Sequence, residues 1–209
     1  REDLKLKKPR MMAVLDPVKL IIDNYPEGQT ELLEVPNNLE NPDLGFRLVP
    51  FGRELYIERE DFLENPPKKY FRLFPGNEVR LMSAYFVTCT GCEKDENGRV
   101  TVIHATYDPA TKSGSGFNER KVKGTIHWVS AAAARKAECR LYENIVDEEK
   151  GKLNEDGSLN LNPNSLIVVK DCYVEPALAE AKAYDSFQFM RNGFFCADCR
   201  DSVPGAPVF

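Results

Sequence analysis

Asn77-Glu78-Val79-Arg80-Leu81-Met82-Ser83-Ala84-Tyr85-Phe86-Val87-Thr88, followed beyond Asn97-Gly98 by Val100-Thr101-Val102-Ile103-His104-Ala105-Thr106, is the stretch that decides the fold class. Successive side chains of a strand point to opposite faces, so a period of two marks a half-buried strand. Val79, Leu81, Ser83, Tyr85 and Val87 fall on one face, and Arg80, Met82, Ala84, Phe86 and Thr88 on the other. Val100 to Thr106 reads as the returning strand, and Asn97-Gly98 supplies the positive φ that a tight hairpin connection needs.

The same signals recur outward from this hairpin. Asn192-Gly193 separates Ser186-Phe187-Gln188-Phe189-Met190 from Phe194-Phe195-Cys196, a second hairpin. Strands are also expected at Ala13 to Asp16, Glu31 to Val35, Phe46 to Pro50, Glu54 to Ile57, Tyr70 to Phe74, Lys121 to Val129 and Ser165 to Val169. Helix is sparse. Pro17 to Ile22, Glu60 to Glu64 and Glu175 to Lys182 are expected as one or two turns each, the first and last opened by a proline that loses nothing at the first helical position. The alanines at 131–134 favour helix locally. Many short strands with Gly and Pro punctuation imply an all-β class, barrels or sandwiches. Thr111 to Asn118 and Asp147 to Pro163 read as flexible loops.

The 209 residues suffice for one large or two small domains. Hydrophobic residues make up 42% and charged residues 29%, which excludes wholesale disorder and coiled-coil or collagen designs. A formal charge of −5 argues against a non-specific nucleic-acid binder. No apolar run is long enough to span a bilayer, and the charged start lacks a signal peptide's apolar centre, so a cytoplasmic protein without membrane contact is expected. A start at Arg1 and an end on Val208-Phe209 imply a piece of a longer chain.

Candidate chemistry is thin. Cys89/Cys92 and Cys196/Cys199 form two C-x-x-C pairs with zinc-ligand spacing, yet about a hundred residues separate them, and reduced cytosolic thiols explain them as well. His104 and His127 sit inside strand patterns without a nucleophile signature. Glu58, Glu60 and Asp61 could form an acid/base pair, although a solvated face accounts for them more simply. Gly114-Ser115-Gly116 lacks the strand-to-helix setting of a phosphate cradle. No catalytic residues and no metal ligands are assigned. The basic residues are more telling. Arg1, Lys5, Lys7, Lys8 and Arg10 crowd the start, and Lys68, Lys69, Arg72 and Arg80 surround Tyr70 and Phe71. Seven basic residues face two acidic ones between 112 and 140, whereas 143–156 carries six carboxylates against two lysines.

Three strings add a resemblance. Lys8-Pro9-Arg10-Met11-Met12-Ala13-Val14-Leu15-Asp16-Pro17-Val18-Lys19-Leu20, Arg120-Lys121-Val122-Lys123-Gly124-Thr125-Ile126-His127-Trp128-Val129-Ser130-Ala131 and Ser186-Phe187-Gln188-Phe189-Met190-Arg191-Asn192-Gly193-Phe194-Phe195-Cys196 resemble, in order, hallmarks of the C-terminal anticodon-binding region of the glutaminyl-tRNA synthetase family. The resemblance implies two β-barrels similar to that of a ribosomal protein that binds 5S rRNA, the first over 1–124 and the second over 125–209, with the C-terminal strand able to return to the first. It implies a partner, the anticodon arm of tRNA(Gln), and an N-terminal Rossmann catalytic domain outside this sequence. That domain would join glutamine to the tRNA using ATP and magnesium; the fragment itself would need no cofactor, be inactive alone and act as a monomer.

Carried over by position, the resemblance implies anticodon contacts for Arg10, Lys69, Arg72, Arg80, Gln188 and Arg191, with Gln188 and Arg191 reading the central base. These side chains suit the task. A guanidinium fork pairs bidentately with base edges or phosphates, and one amide offers both donor and acceptor. Lys69 stands where the best-studied bacterial relatives carry a base-contacting glutamine, and Met82 where they carry a second arginine, so the wobble-base contacts depart from the pattern. The glutamyl enzymes of eukaryotes and archaea, and a zinc-dependent β-rich interaction module, are the alternative readings. The charge argument sharpens accordingly. Four of the five net negative charges lie in 143–156, leaving room for a selective RNA binder with few, placed arginines.

Overall fold

The computed structural model describes residues 2–147 and 149–209; Arg1 of the N-terminal basic group and Glu148 of the acidic segment lie outside the described residues. The described chain is all-β. One six-residue helix, α1 (Glu2–Lys7), precedes β1 (Arg10–Met11), β2 (Ala13–Val14), β3 (Pro17–Ile22), β4 (Thr30–Pro36), β5 (Phe46–Gly52), β6 (Glu54–Glu58), β7 (Glu78–Leu81), β8 (Phe86–Lys94) and β9 (Val100–Asp108). Then come β10 (Thr125–Ile126), β11 (Val129–Ser130), β12 (Arg135–Tyr142), β13 (Leu166–Val174), β14 (Ser186–Phe189) and β15 (Gly193–Cys196).

A seven-stranded sheet, ordered β10-β7-β8-β9-β3-β6-β11, bends into a half-barrel, and the β4–β5 hairpin contributes side chains to the same core. The core is aromatic: Phe51 meets Trp128 edge-on at 5.0 Å and Tyr25 at 5.3 Å, and Trp128 Nε1 donates to Met82 O at 2.9 Å. Two smaller sheets, β12-β13-β2 and β1-β14-β15, enclose a second core around Cys139, Cys172, Leu178, Phe189, Phe195 and Phe209. The last residues run along β12, where Phe209 N donates to Glu138 O and Arg140 N to Phe209 O.

The units exchange short segments. Arg10 to Val14, at the chain start, pair with β14 and β13, while β10 and β11 pair with β7 and β6 of the large sheet. Tyr56 of β6 stacks on Tyr173 of β13 at 4.2 Å. Such crossing contacts bury apolar area between the cores, each large side chain contributing on the order of 1.5–3 kcal/mol.

Several local expectations change. Pro17 to Ile22 is strand and not helix, because Val18, Leu20 and Ile22 alternate into the core with period two. The run from Val79 to Thr88 is not one strand: it turns at 82–85, with Ser83 at φ 55°, and β7 folds antiparallel onto β8. That turn sets Arg80 opposite Phe86. Tyr70 to Phe74 forms only one bridge, Leu73 to Phe62. Glu60 to Glu64 and Glu175 to Lys182 shrink to 3-10 turns, Arg59–Asp61 and Pro176–Glu180. In the 186–196 hairpin Gly193 takes positive φ, at 145°, in the Asn192-Gly193 turn that the sequence pointed to, and Arg191 takes it as well, at φ 68°.

Two features generate predictions. A Cβ on Gly124 would lie 2.0 Å from Phe71 O, so Gly124→Ala is expected to destabilise the chain by about 1–3 kcal/mol, read as a lower urea midpoint. His104 bridges Asp23 and Glu93, each at 3.0 Å, and these carboxylates, Asp23 first, raise its pKa above 6.5. A raised folded-state pKa contributes stability below the unfolded value and loses it as pH climbs past the folded one. His104→Gln should therefore cost more stability at about pH 5.5 than at about pH 8.5. An equal cost at both would refute the bridge.

Candidate nucleic-acid interface

The interface is organised by carboxylates that have left water. Glu58, the last residue of β6, is 5% exposed; its Oε1 and Oε2 accept from the backbone N–H groups of Leu15 and Asp16, both at 2.9 Å. His127 Nε2 lies 3.4 Å from it. Burial opposes its ionisation, but the His127 contact and the two amide donors prevail and hold the carboxyl below its usual pKa. Glu175, just after β13, accepts from Met12 N at 2.7 Å and takes a two-pronged bond from Arg47 of β5 at 2.7 and 2.8 Å. Asp61 is 0% exposed and binds Arg191 with both oxygens, at 2.6 and 2.8 Å. These acids correct the expectation of a solvated face: of that trio, only Glu60 is exposed.

Around this frame the structure gathers four of the six sequence-derived residues. Arg10 on β1 lies directly across from Gln188 on β14 in parallel register. Arg191, two residues past β14, shares with Gln188 a cleft of about 440 Å³ that Asn192, Gly193, Phe194 and Leu4 complete. Its φ of 68° is unfavourable for a side-chain-bearing residue and is held by the Asp61 pair, which also raises its pKa. Arg72 joins the same acids, with Nη1 2.9 Å from Glu60 Oε1 and Nε 3.3 Å from Asp61 Oδ1. The other two stand apart. Lys69 is exposed at the third position of the turn Pro67-Lys68-Lys69-Tyr70, at φ 70°. Arg80 bonds Ser113 Oγ at 2.9 Å and lies over the Phe86 ring at 4.4 Å.

Besides the two ring nitrogens of His127, two buried polar atoms have no hydrogen-bond partner among the described residues, and both belong to the six sequence-derived residues: Arg10 Nε and Gln188 Oε1. One is a donor and the other an acceptor, on adjacent strands. A buried polar group left unmatched costs roughly 1–3 kcal/mol, so native structures leave few of them. Arg10 is otherwise held by Glu40, 2.5 Å from its Nη2. Met82, the other departure from the bacterial pattern, packs against the large core beside Met190.

Sequence reasoning missed Glu175 and Arg47, and it assigned Glu58 and Asp61 to a solvated face. Apart from Arg72, 11 residues from Asp61, the partners that hold these acids lie 42 to 163 residues away, and no local spacing announces such a pair. The C-x-x-C pairs lie on different sheets, Cys89 and Cys92 in β8, Cys196 in β15 and Cys199 just beyond it. Among the described residues no three His, Cys, Asp or Glu side chains are placed to hold a metal ion. No described helix is long and apolar enough to cross a membrane.

Residues 8–108 match a family model described as tRNA synthetases class I (E and Q), anti-codon binding domain, and residues 125–198 match a second model of the same description. The chain is 56% identical over 202 residues to a glutamine–tRNA ligase of Clostridium perfringens, covering 95% of this chain and 36% of that protein. It is 56% identical over its full length to the Clostridioides difficile enzyme, of which it spans 38%, and 54% identical to that of Cupriavidus metallidurans, of which it spans 36%.

Because Asp61 is inaccessible, removing its main partner strands a charge. Arg191→Ala is expected to lower stability by roughly 2–4 kcal/mol, short of the full cost of breaking a buried pair because Arg72 remains beside Asp61. Asp61→Asn combined with Arg191→Ala should cost less than the two single changes summed. Additive losses in urea unfolding would contradict the pairing.

Proposed function

Since the chain belongs to the anticodon-binding domain family of the class I tRNA synthetases for glutamate and glutamine, we propose that it binds the anticodon arm of tRNA(Gln) as part of a glutamine–tRNA ligase. The chain spans 36–38% of the length of the relatives described above. In this reading the remainder is an N-terminal catalytic domain, the second partner, which joins glutamine to the tRNA with ATP and magnesium. No residue of this chain is given a role toward ATP or magnesium, and the fragment is a cytoplasmic monomer without cofactor. Two barrels meeting at 124/125 remain the proposed division, supported by the two cores and crossed by residues 10–14 and by β10 and β11.

The observation that carries the proposal is the unmatched pair of Arg10 Nε and Gln188 Oε1 beside the Arg191 cleft. A nucleobase splayed out of its stack presents donors and acceptors along its edge, as single-stranded RNA loops do when read by proteins. Gln188 can meet such an edge with both ends of its amide. Arg191, fixed through Asp61, offers its remaining N–H donors at the cleft without the entropy loss of ordering a free side chain. Arg72, Lys69 and Arg80 complete the proposed contact set on the flanking nucleotides. Glutamine is favoured over glutamate because the relatives reported above are glutamine ligases.

Gln188→Ala tests this directly, since it removes no ion pair from the junction. It is expected to weaken binding of tRNA(Gln) by about 1–3 kcal/mol at fixed salt. The variant should also lose the penalty that wild type shows for a changed middle anticodon base. Equal binding by wild type and variant, with no such penalty in either, would sink the proposal; tighter binding of tRNA(Glu) would move it to the glutamyl branch.

A further inference from the structure

We propose that Phe71, with Lys121 and Lys123, forms a separate subsite that stacks one unpaired base of the bound RNA loop and holds its flanking phosphates; this rests on the RNA-binding reading above. Phe71 is 47% exposed although it sits between two residues engaged at the junction, Tyr70 and Arg72. Tyr70 donates to Glu60 O at 3.1 Å, and Arg72 reaches Glu60 and Asp61. The backbone on either side of the ring is thereby fixed while the ring itself faces water. Gly124 reinforces this, because only a residue without Cβ allows the 121–124 segment to approach Phe71 O.

That approach builds an open groove of about 440 Å³ with Tyr70, Phe71 and Phe74 on one side and Lys121 and Lys123 on the other. Lys123 Nζ lies 5.0 Å from the centre of the Phe71 ring. Neither Lys121 nor Lys123 forms an ion pair among the described residues, and neither do Lys68 and Lys69 on the preceding turn. The one carboxylate lining the groove, Glu78, is already held by two bonds from Arg120, at 2.9 and 2.6 Å. An exposed aromatic ring among unneutralised lysines is the combination that binds single-stranded nucleic acid: the ring offers a face to any base, and the ammonium groups track the backbone. A protein ligand would call for apolar pockets or carboxylates to match, and of the three rings lining the groove only Phe71 is exposed, amid excess positive charge.

The test uses this chain and the isolated anticodon stem-loop of tRNA(Gln), titrated at several salt concentrations. Phe71→Ala is expected to weaken binding about ten-fold, Phe71→Leu to weaken it similarly, and Phe71→Trp to restore it, the pattern of stacking as opposed to apolar bulk. Lys121→Ala with Lys123→Ala should flatten the slope of log affinity against log salt by about 1.4, two single-strand phosphates' worth. Thermal unfolding should leave Phe71→Leu near wild type, since the ring packs little. Wild-type affinity for Phe71→Ala or Phe71→Leu, or an unchanged salt slope for the double lysine variant, overturns the subsite. If Gln188→Ala binds weakly in the same assay, the anticodon reading stands while the subsite falls; if Gln188→Ala also matches wild type, both fall.

Discussion

A carboxylate that loses its water must be given partners that replace it, and Asp61 is the point where that requirement shapes this molecule. It has no exposed surface, and it is answered by Arg191 from the β14–β15 hairpin and by Arg72 from the irregular segment after β6. Removing either partner leaves the charge underpaired, so both arginines are tied to one place. Glu58 and Glu175 repeat the arrangement at the neighbouring seams, taking backbone donors from residues 12, 15 and 16 and the Arg47 guanidinium. Apolar packing alone would let the two cores slide against each other. Directional bonds to buried charges specify one placement.

That placement has a consequence for recognition. The Arg191 side chain is held in position before any ligand arrives, and its left-handed backbone is tolerated because the ion pair over-determines it. Arg10 and Gln188 meet in register across β1 and β14 because the chain start has crossed to the second unit. A reader of individual bases needs such pre-set donors and acceptors, because mobile arginines would spend binding energy on being ordered. Rigidity at the junction and the proposed base reading at the cleft would therefore have one cause.

Charge is distributed to the same end. The segment that carries most of the net negative charge joins β12 to β13, on a sheet that includes neither β7 nor β14. Among the described residues, four of the eight lysines that form no ion pair, Lys68, Lys69, Lys121 and Lys123, lie in the 68–69 turn and the 121–124 segment, near Arg72, and the other four are scattered at 8, 152, 170 and 182. Several arginines elsewhere are neutralised in place, Arg47 by Glu175 and Arg120 by Glu78 and Asp108. The net charge of the chain thus says little about the field at any one surface, which depends on which cations are already answered.

The all-β class was legible in the alternation around Asn97-Gly98 and at the 186–196 hairpin, because period two and turn chemistry are local properties of a strand. The family was legible from three strings, and so were the identities of Arg10, Lys69, Arg72, Arg80, Gln188 and Arg191 as candidates. Local pattern failed where local preference was ambiguous: Pro17 suggested a helix start, but Val18, Leu20 and Ile22 were drawn into a sheet, and alternation concealed the turn at Ser83. What only the tertiary structure decided is which of those candidates stand together and which acids hold them there. Asp61 and Arg191 are 130 positions apart, and Met12 and Glu175 are 163 apart. A buried charge selects its partner by proximity in the folded state, and no periodicity along the chain encodes that distance.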